Sequence, residues 1–201
     1  MQRYIEMLFR PRERHPKEWR SSFLALQLGF LAGGVGLLGR DLLIFLSTDN
    51  WIPIIGSELF FALFITIGFF LHTRGFAASG LVLACTAGVG SATGHIILTG
   101  WQTEFYLWYV SLAVLLLALP IRTVVKWICA ISFISVYCFT YLEFSANTPA
   151  VELPMSTINA LGISNIVGTL LIVGLPMGIY STALVKEKEK SERLLHNIMP
   201  K

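Results

Sequence analysis

Several ionisable side chains interrupt the apolar runs of this sequence, and five of them, at a similar predicted depth, are the first candidates for chemistry. Such groups are costly inside a bilayer, so each one must serve packing, binding or ion movement. Counted along their apolar runs, all five fall near one end of a predicted membrane span and would share one depth. They are Arg40, Asp41, Glu58, His95 and Glu104.

Three uses of this group remain open. Arg40 can pair with Asp41, Glu58 or Glu104 and so hold helices together. Alternatively, the group anchors a ligand in an outward-facing pocket with aromatic walls, Tyr109 among them. A path for protons or ions is the third use. The predicted ligand-binding residues are Arg40, Glu58, His95, Trp101, Glu104, Tyr106 and Trp108.

Two histidines in the apolar runs, His72 and His95, also raise the question of a haem, which helix bundles hold between facing side chains. His72 ends the second run, whereas His95 lies 18 residues beyond Ala77, or about 27 Å along the third run. They therefore cannot ligate one iron within one chain. Each can still bind a separate haem with another subunit, or with His15 or His196.

The composition places the chain among membrane proteins. Of its 201 residues, 55% are hydrophobic and 13% charged, and the mean hydropathy is +0.69. The formal net charge of +3 comes from basic residues beside apolar runs, where anionic headgroups are the natural counterions, so no nucleic-acid partner is expected. The three cysteines show no CxxC spacing, which argues against a disulfide framework or a zinc site. No hydrolase, metalloprotease, P-loop or dinucleotide motif occurs, and we assign no catalytic residue or metal ligand to this chain.

The lengths of the apolar runs predict an all-α integral membrane protein, a bundle of six transmembrane helices. Each run is long enough to cross about 30 Å of hydrocarbon. We expect a cytoplasmic basic segment over residues 1–20, the six-helix domain over 21–184 and a cytoplasmic signalling helix over 185–201. The predicted spans are about 22–45, 54–71, 77–99, 105–121, 124–144 and 157–184.

The basic residues predict the orientation of the spans. With the N-terminus in the cytoplasm, 14 of the 15 Lys and Arg residues lie on the inner side, and only Arg40 does not. Both termini are therefore expected in the cytoplasm, and the protein in the inner (plasma) membrane. Pro11 and Pro16 limit the basic N-terminal segment to a short amphipathic helix on the inner surface.

Glycines and the charged tail suggest how the helices associate. Five glycines of the first span form a small-residue face of the kind that lets helices pack closely. In the tail, VKEKEKSERLLHNIMPK, Glu189 precedes Arg193 by four residues, which favours a helix. A weak heptad seam through Leu184, Ser191, Leu195 and Ile198 has two interpretations: it pairs two copies as a short parallel coiled coil, which favours a homodimer, or it is one face of a solvated helix end.

The end of the tail, SERLLHNIMP, resembles the E-R-L-L-x-N-[IV]-[LM]-P linker that precedes the catalytic domain of class III adenylate and guanylate cyclases. The six-span layout with a basic N-terminus is also similar to that of membrane-bound bacterial cyclases. The residues expected to relay a signal are Pro176, from the helix-softening segment before the tail, and Glu192, Arg193, Leu195, Asn197 and Pro200 from the linker. The full match comprises Glu192, Arg193, Leu194, Leu195, Asn197, Ile198, Met199 and Pro200.

This resemblance implies that the chain is the membrane anchor and receptor-like domain of an adenylate cyclase, cut before its catalytic domain. The parent would act as a homodimer that converts ATP to cyclic AMP and pyrophosphate with Mg²⁺ or Mn²⁺. Its metal and nucleotide ligands would lie after Lys201, and this segment would contribute the bilayer contacts, the dimer contacts and a site for an unknown small ligand. The alternatives are the sensor domain of a six-span histidine kinase, a haem-binding membrane domain and a small transporter.

Overall fold

The structure is a computed structural model that describes residues 17–119 and 121–198. Regular structure in these residues is helical throughout, which confirms the predicted all-α class. The predicted N-terminal surface helix falls mostly in residues 1–16, outside the described residues, and so do Met199 and Pro200. The elements are α1 (Lys17–Ser47), α2 (Ile52–Thr73), α3 (Ala77–Thr99), a 3-10 turn (Trp101–Thr103), α4 (Leu107–Ala118), α5 (Thr123–Phe144) and α6 (Met155–Ile198).

Five segments of these helices are long and apolar enough to cross a membrane. Large apolar side chains cover their outer surface; Leu38 in α1 and Leu142 in α5, for example, are 72% and 78% exposed. A surface of this kind is stable in lipid and unfavourable in water. The chain is therefore a multi-pass membrane protein. The five segments are Gly29–Ser47, Ile52–Thr73, Ala77–Thr99, Thr123–Phe144 and Met155–Gly174.

The helices share two ends, which we name the site end and the tail end. At the site end, α1, α3 and α5 finish and α2 and α6 begin; Thr157 Oγ1 donates to Ser47 Oγ at 2.9 Å, and the Val151 amide donates to the Leu98 carbonyl at 2.8 Å. At the tail end, α2 finishes and α3 and α5 begin. There, the Phe23 ring of α1 stacks on His72 of α2 at 4.9 Å between centroids.

The predicted fourth span is shorter than expected. Instead of a helix over residues 105–121, α4 has 12 residues, about 18 Å, because two local features limit it. Glu104 adopts a left-handed φ of 60° before it, and Leu119 is extended after it, as the residue before a proline prefers. The flanking Phe105 and Leu119 are nevertheless buried among neighbouring helices, which shields their backbone from lipid.

Helices α2 and α3 approach each other closely at a pair of glycines. A Cβ atom added at Gly68 would lie 2.6 Å from the Gly80 carbonyl oxygen, and one added at Gly80 would clash with the Gly68 carbonyl oxygen. The glycine face expected on α1 behaves differently, since Cβ atoms at Gly34, Gly36 and Gly39 would meet nothing within 4 Å. Within the described residues, close packing thus depends on the α2 and α3 glycines.

The last helix links the bundle to the polar tail without a break. α6 has 44 residues, about 66 Å, and only its first part, Met155–Gly174, is an apolar membrane segment. Residues 186–194 are exposed along the remainder. The predicted change from membrane domain to tail near residue 184 is therefore a change of surroundings along one helix.

Candidate functional site

The buried carboxylate of Glu58 is the centre of the site. Its Oε1 accepts hydrogen bonds from Arg40 Nη2 of α1 and from Ser91 Oγ of α3 at 3.0 Å, and His95 Nδ1 of α3 lies 2.9 Å from the same oxygen. Glu58 is 2% exposed and Arg40 7%. Of the three partners considered for Arg40, the structure selects Glu58. One carboxylate therefore links α1, α2 and α3.

Helix geometry explains why α3 supplies two of these donors. Ser91 and His95 are four residues apart, so both side chains lie on one face of the helix. His95 Nδ1 also lies 3.1 Å from the Ser91 carbonyl oxygen, which makes Nδ1 the protonated nitrogen of the ring. Ser91 was not predicted as a site residue, although its spacing from His95 was a usable signal.

An aromatic ring closes the cluster from the segment before α4. The Phe105 ring centroid lies 4.2 Å from that of His95, and Arg40 Cζ lies 4.8 Å above the same ring. This is a cation–π arrangement that also excludes water. The sequence did not point to Phe105, because one phenylalanine among fourteen in an apolar chain carries no distinguishing signal.

The other predicted pocket residues do not join this cluster. Trp101 and Tyr106 stack on each other at 4.9 Å, and Trp101 packs on Tyr141 of α5 at 5.3 Å. The carboxyl carbon of Glu104 lies 3.6 Å from a Cβ built on Gly162 of α6. These residues form a separate aromatic patch at the site end.

Trp108 and Tyr109 make internal hydrogen bonds. Trp108 Nε1 donates to Asn165 Oδ1 at 3.1 Å, and Asn165 Nδ2 donates to the Thr103 carbonyl at 2.8 Å. The Tyr109 hydroxyl lies 2.8 Å from Thr93 Oγ1, and its ring is fully buried. Tyr109 is therefore a packing residue, whereas Asn165 ties α6 to α4 and to the 3-10 turn after α3.

His72 lies at the opposite end of the bundle from His95. It packs against Phe23 and Phe30, with ring centroids 4.9 and 5.9 Å away. This agrees with the expectation that the two histidines do not share one iron. The part of the chain that the structure describes contains no group of three or more His, Cys, Asp or Glu residues placed to hold a metal ion. A haem shared with another subunit stays a prediction.

The predicted relay residues lie along α6. Lys188 Nζ and Glu192 Oε1 are 3.9 Å apart in an exposed ion pair, while the expected pairing of Glu189 with Arg193 is not among the ion pairs of the described residues. Pro176, Leu195 and Asn197 belong to the same helix. Pro200 lies outside the described residues.

A cavity of about 300 Å³ extends from the ion cluster into the middle of the bundle. Arg40 and Ser91 belong to its wall, together with Trp108 and Asn165, and the remaining lining is mostly apolar. The sequence offered no sign of it, because a cavity depends on how five helices meet.

No family model, curated protein or solved structure matches the chain. The site itself therefore has to indicate the function. Its charged groups are buried and in contact with one another across three helices.

Proposed function

We propose that the chain is the membrane anchor and receptor domain of a class III adenylate cyclase, with six membrane crossings and both termini in the cytoplasm. The observation that carries this proposal is the continuity of α6. The helix is bonded to the site end through Thr157 and Asn165 and runs without interruption to Ile198. It thus reaches the segment that resembles the cyclase linker.

The path of the chain around α4 supports six crossings. α3 ends at the site end, and Lys126 Nζ near the start of α5 donates to the Leu117 carbonyl of α4 at 2.8 Å. The segment from Trp101 to Leu119 therefore passes from the site end to the tail end, although its helix alone is shorter than a bilayer. An even number of crossings also agrees with the placement of 14 of the 15 basic residues on the cytoplasmic side.

The way in which the site end is connected supports a receptor role. Glu58 joins α1, α2 and α3, and Asn165 joins α6 to the turn after α3. A ligand that alters these bonds would shift α6 relative to its neighbours. In a homodimer, that shift would reach the interface at which the parent converts ATP to cyclic AMP and pyrophosphate.

The test uses the full-length protein and the helical phase of the tail. Inserting two residues after Lys190 turns the following chain by about 200°, whereas inserting seven turns it by only about 20°. We expect the two-residue insertion to abolish most cyclic AMP synthesis in isolated membranes and the seven-residue insertion to retain it. No cyclic AMP synthesis by the unmodified protein, or equal synthesis by both variants, would contradict the proposal.

A further inference from the structure

The central cavity is elongated and lined mainly by apolar side chains. Along α3 it extends from Leu81 to Ser91, ten residues or about 15 Å. Toward the tail end, its wall includes Leu26, Leu115 and Ile172. Its volume lies at the small end of the range of about 300–1,000 Å³ that ligand pockets occupy. The cavity thus has the shape and lining that suit one hydrocarbon chain.

Four polar side chains of the cavity wall are already bonded to other groups of the protein. Arg40 Nη2 and Ser91 Oγ both donate to Glu58. Trp108 Nε1 donates to Asn165 Oδ1, and Asn165 Nδ2 donates to a backbone carbonyl. Groups that are bonded in this way gain little from a polar ligand. Apolar cavities stay dry and take up apolar molecules instead of water, so this wall favours an apolar occupant.

The cavity reaches the lipid-facing surface between α1 and α6. Gly36, Val167 and Leu171 belong to its wall and are also exposed on the outside of the bundle. A Cβ atom at Gly36 would meet nothing within 4 Å, so the wall is open at this point. The hydrocarbon interior of the bilayer is therefore the region from which the cavity can be filled.

The opening lies near the middle of the bilayer. Gly36 is 11 residues from Ser47, and Val167 is 12 residues from Met155, the residues at which the two membrane segments reach the site end. Both positions are thus about 17 Å from the site end, close to the middle of a hydrocarbon core about 30 Å thick. Lipid head groups lie at the interfaces, whereas the methyl ends of acyl chains lie at this depth. We propose that the cavity binds the methyl end of one acyl chain of a bilayer lipid, which enters between α1 and α6.

This binding site goes beyond the proposed receptor function and does not depend on it. It can be tested on the unmodified 201-residue chain in lipid nanodiscs. Two probes are phosphatidylcholines with a photoreactive diazirine in one acyl chain, either near the methyl end or near the carbonyl group. A third probe, dodecane with a diazirine at one end, represents a free lipophile. After irradiation, mass spectrometry of the digested chain locates the labelled residues.

We expect the methyl-end lipid to label the inside of the cavity. The diagnostic residues are Ala84 and Gly88 of α3 and Trp108 of α4, which line the cavity, are partly accessible and belong to helices other than the two that form the opening. The carbonyl-end lipid should leave them unlabelled and react with outer residues such as Leu142, which is 78% exposed. Labelling of outer residues alone by the methyl-end lipid would overturn the proposal. Labelling of the diagnostic residues by dodecane but not by the lipid would also overturn it, since the occupant would then be a free lipophile.

One variant and one matched control test the route of entry. Gly36→Phe places a side chain in the opening and should remove most of the labelling by the methyl-end lipid at the three diagnostic residues. Gly39→Phe is the control on the same helix, since Gly39 also has open space around its Cβ position but is not among the residues that line the cavity. Its labelling should match that of the unmodified chain.

Thermal unfolding in nanodiscs shows which variants keep the fold, and labelling is compared among those. Undiminished labelling of the diagnostic residues in folded Gly36→Phe would refute entry between α1 and α6. If Gly36→Phe does not fold, the comparison of the three probes on the unmodified chain decides the proposal. Cyclic AMP is not measured, so failure here and failure of the cyclase proposal are separate results.

Discussion

The Glu58 carboxylate holds the ion cluster together, because three side chains contact one of its oxygens. Its Oε1 is shared by Arg40, Ser91 and His95, which come from two helices other than its own. Because the cluster is buried, a charge that loses its partner cannot be solvated by water, and the loss is costly. A substitution at Glu58 therefore lowers the stability of the bundle mainly because it leaves the Arg40 charge buried without its counterion.

Replacing Glu58 by alanine should lower the stability of the bundle by about 3–5 kcal/mol, because Arg40 remains buried without its counterion. The measurement is thermal unfolding of the purified protein in nanodiscs. Glu152→Ala removes an exposed carboxylate and should change the stability by less than about 0.5 kcal/mol. Similar effects of the two substitutions would show that the Glu58 ion pair is not structural.

A second residue-scale test compares two asparagines of α6. Asn165 is buried and bonded to Trp108 and Thr103, so Asn165→Leu should cost about 1–3 kcal/mol through the polar groups it leaves unpaired. Asn159 is exposed on the same helix, and Asn159→Leu should be close to neutral. Unfolding curves of both variants give the comparison, and a neutral Asn165→Leu would mean that α6 is not tied to the site end in this way.

At the scale of elements, α2 and α3 are in close backbone contact at Gly68 and Gly80, where a Cβ atom has no room. The carbonyl oxygens of Gly68 and Gly80 each occupy the space that a Cβ atom of the other residue would need. Since backbone atoms cannot move aside as a side-chain tip can, any larger residue must push the helices apart. Glu58 and His95 belong to these two helices, so the separation would also affect their 2.9 Å contact.

The Gly80→Ala substitution should therefore destabilise the bundle by about 1–3 kcal/mol, the usual cost of overpacking. Gly56→Ala is the control in α2, where an added Cβ meets nothing within 4 Å. That change should be neutral or stabilising by up to about 1 kcal/mol, since alanine is the better helix former. Thermal unfolding of the two variants in nanodiscs is the measurement, and equal loss of stability would exclude a specific clash.

At the scale of the whole molecule, the question is whether α4 and its flanking segments cross the membrane. If they do, the loop after α1 and the loop after α5 lie on the same side. If only the five long segments cross, the two loops lie on opposite sides. Asp49 and Asn147 are exposed in these loops, and Arg74 is exposed at the tail end.

Single cysteines at these three positions, in a variant lacking Cys85, Cys129 and Cys138, distinguish the two topologies. In intact cells, a membrane-impermeant maleimide should label Asp49→Cys and Asn147→Cys, and should label Arg74→Cys only after the membrane is made permeable. Labelling of Asp49→Cys without Asn147→Cys would reject the six-span topology. The cysteine-free chain is the control for background labelling.

The sequence by itself determined the all-helical membrane class, because hydropathy and length are local properties of each segment. For α3, the predicted range agrees with the helix at both ends, Ala77 and Thr99. Arg40, Glu58 and His95 of the ion cluster were also candidates from the sequence, since charges in apolar runs are conspicuous. The fourth span was overestimated, because hydropathy does not register the left-handed turn at Glu104.

Only the tertiary structure decided which of these residues meet. Arg40 had three possible partners in the sequence, and the way α1 and α2 pack selects Glu58. The aromatic residues proposed for one pocket are divided between a surface patch around Trp101 and a buried bond from Trp108 to Asn165. The central cavity likewise arises where five helices fail to fill the space between them. Such features depend on distances between segments far apart in the chain, and residue type and spacing do not specify those distances.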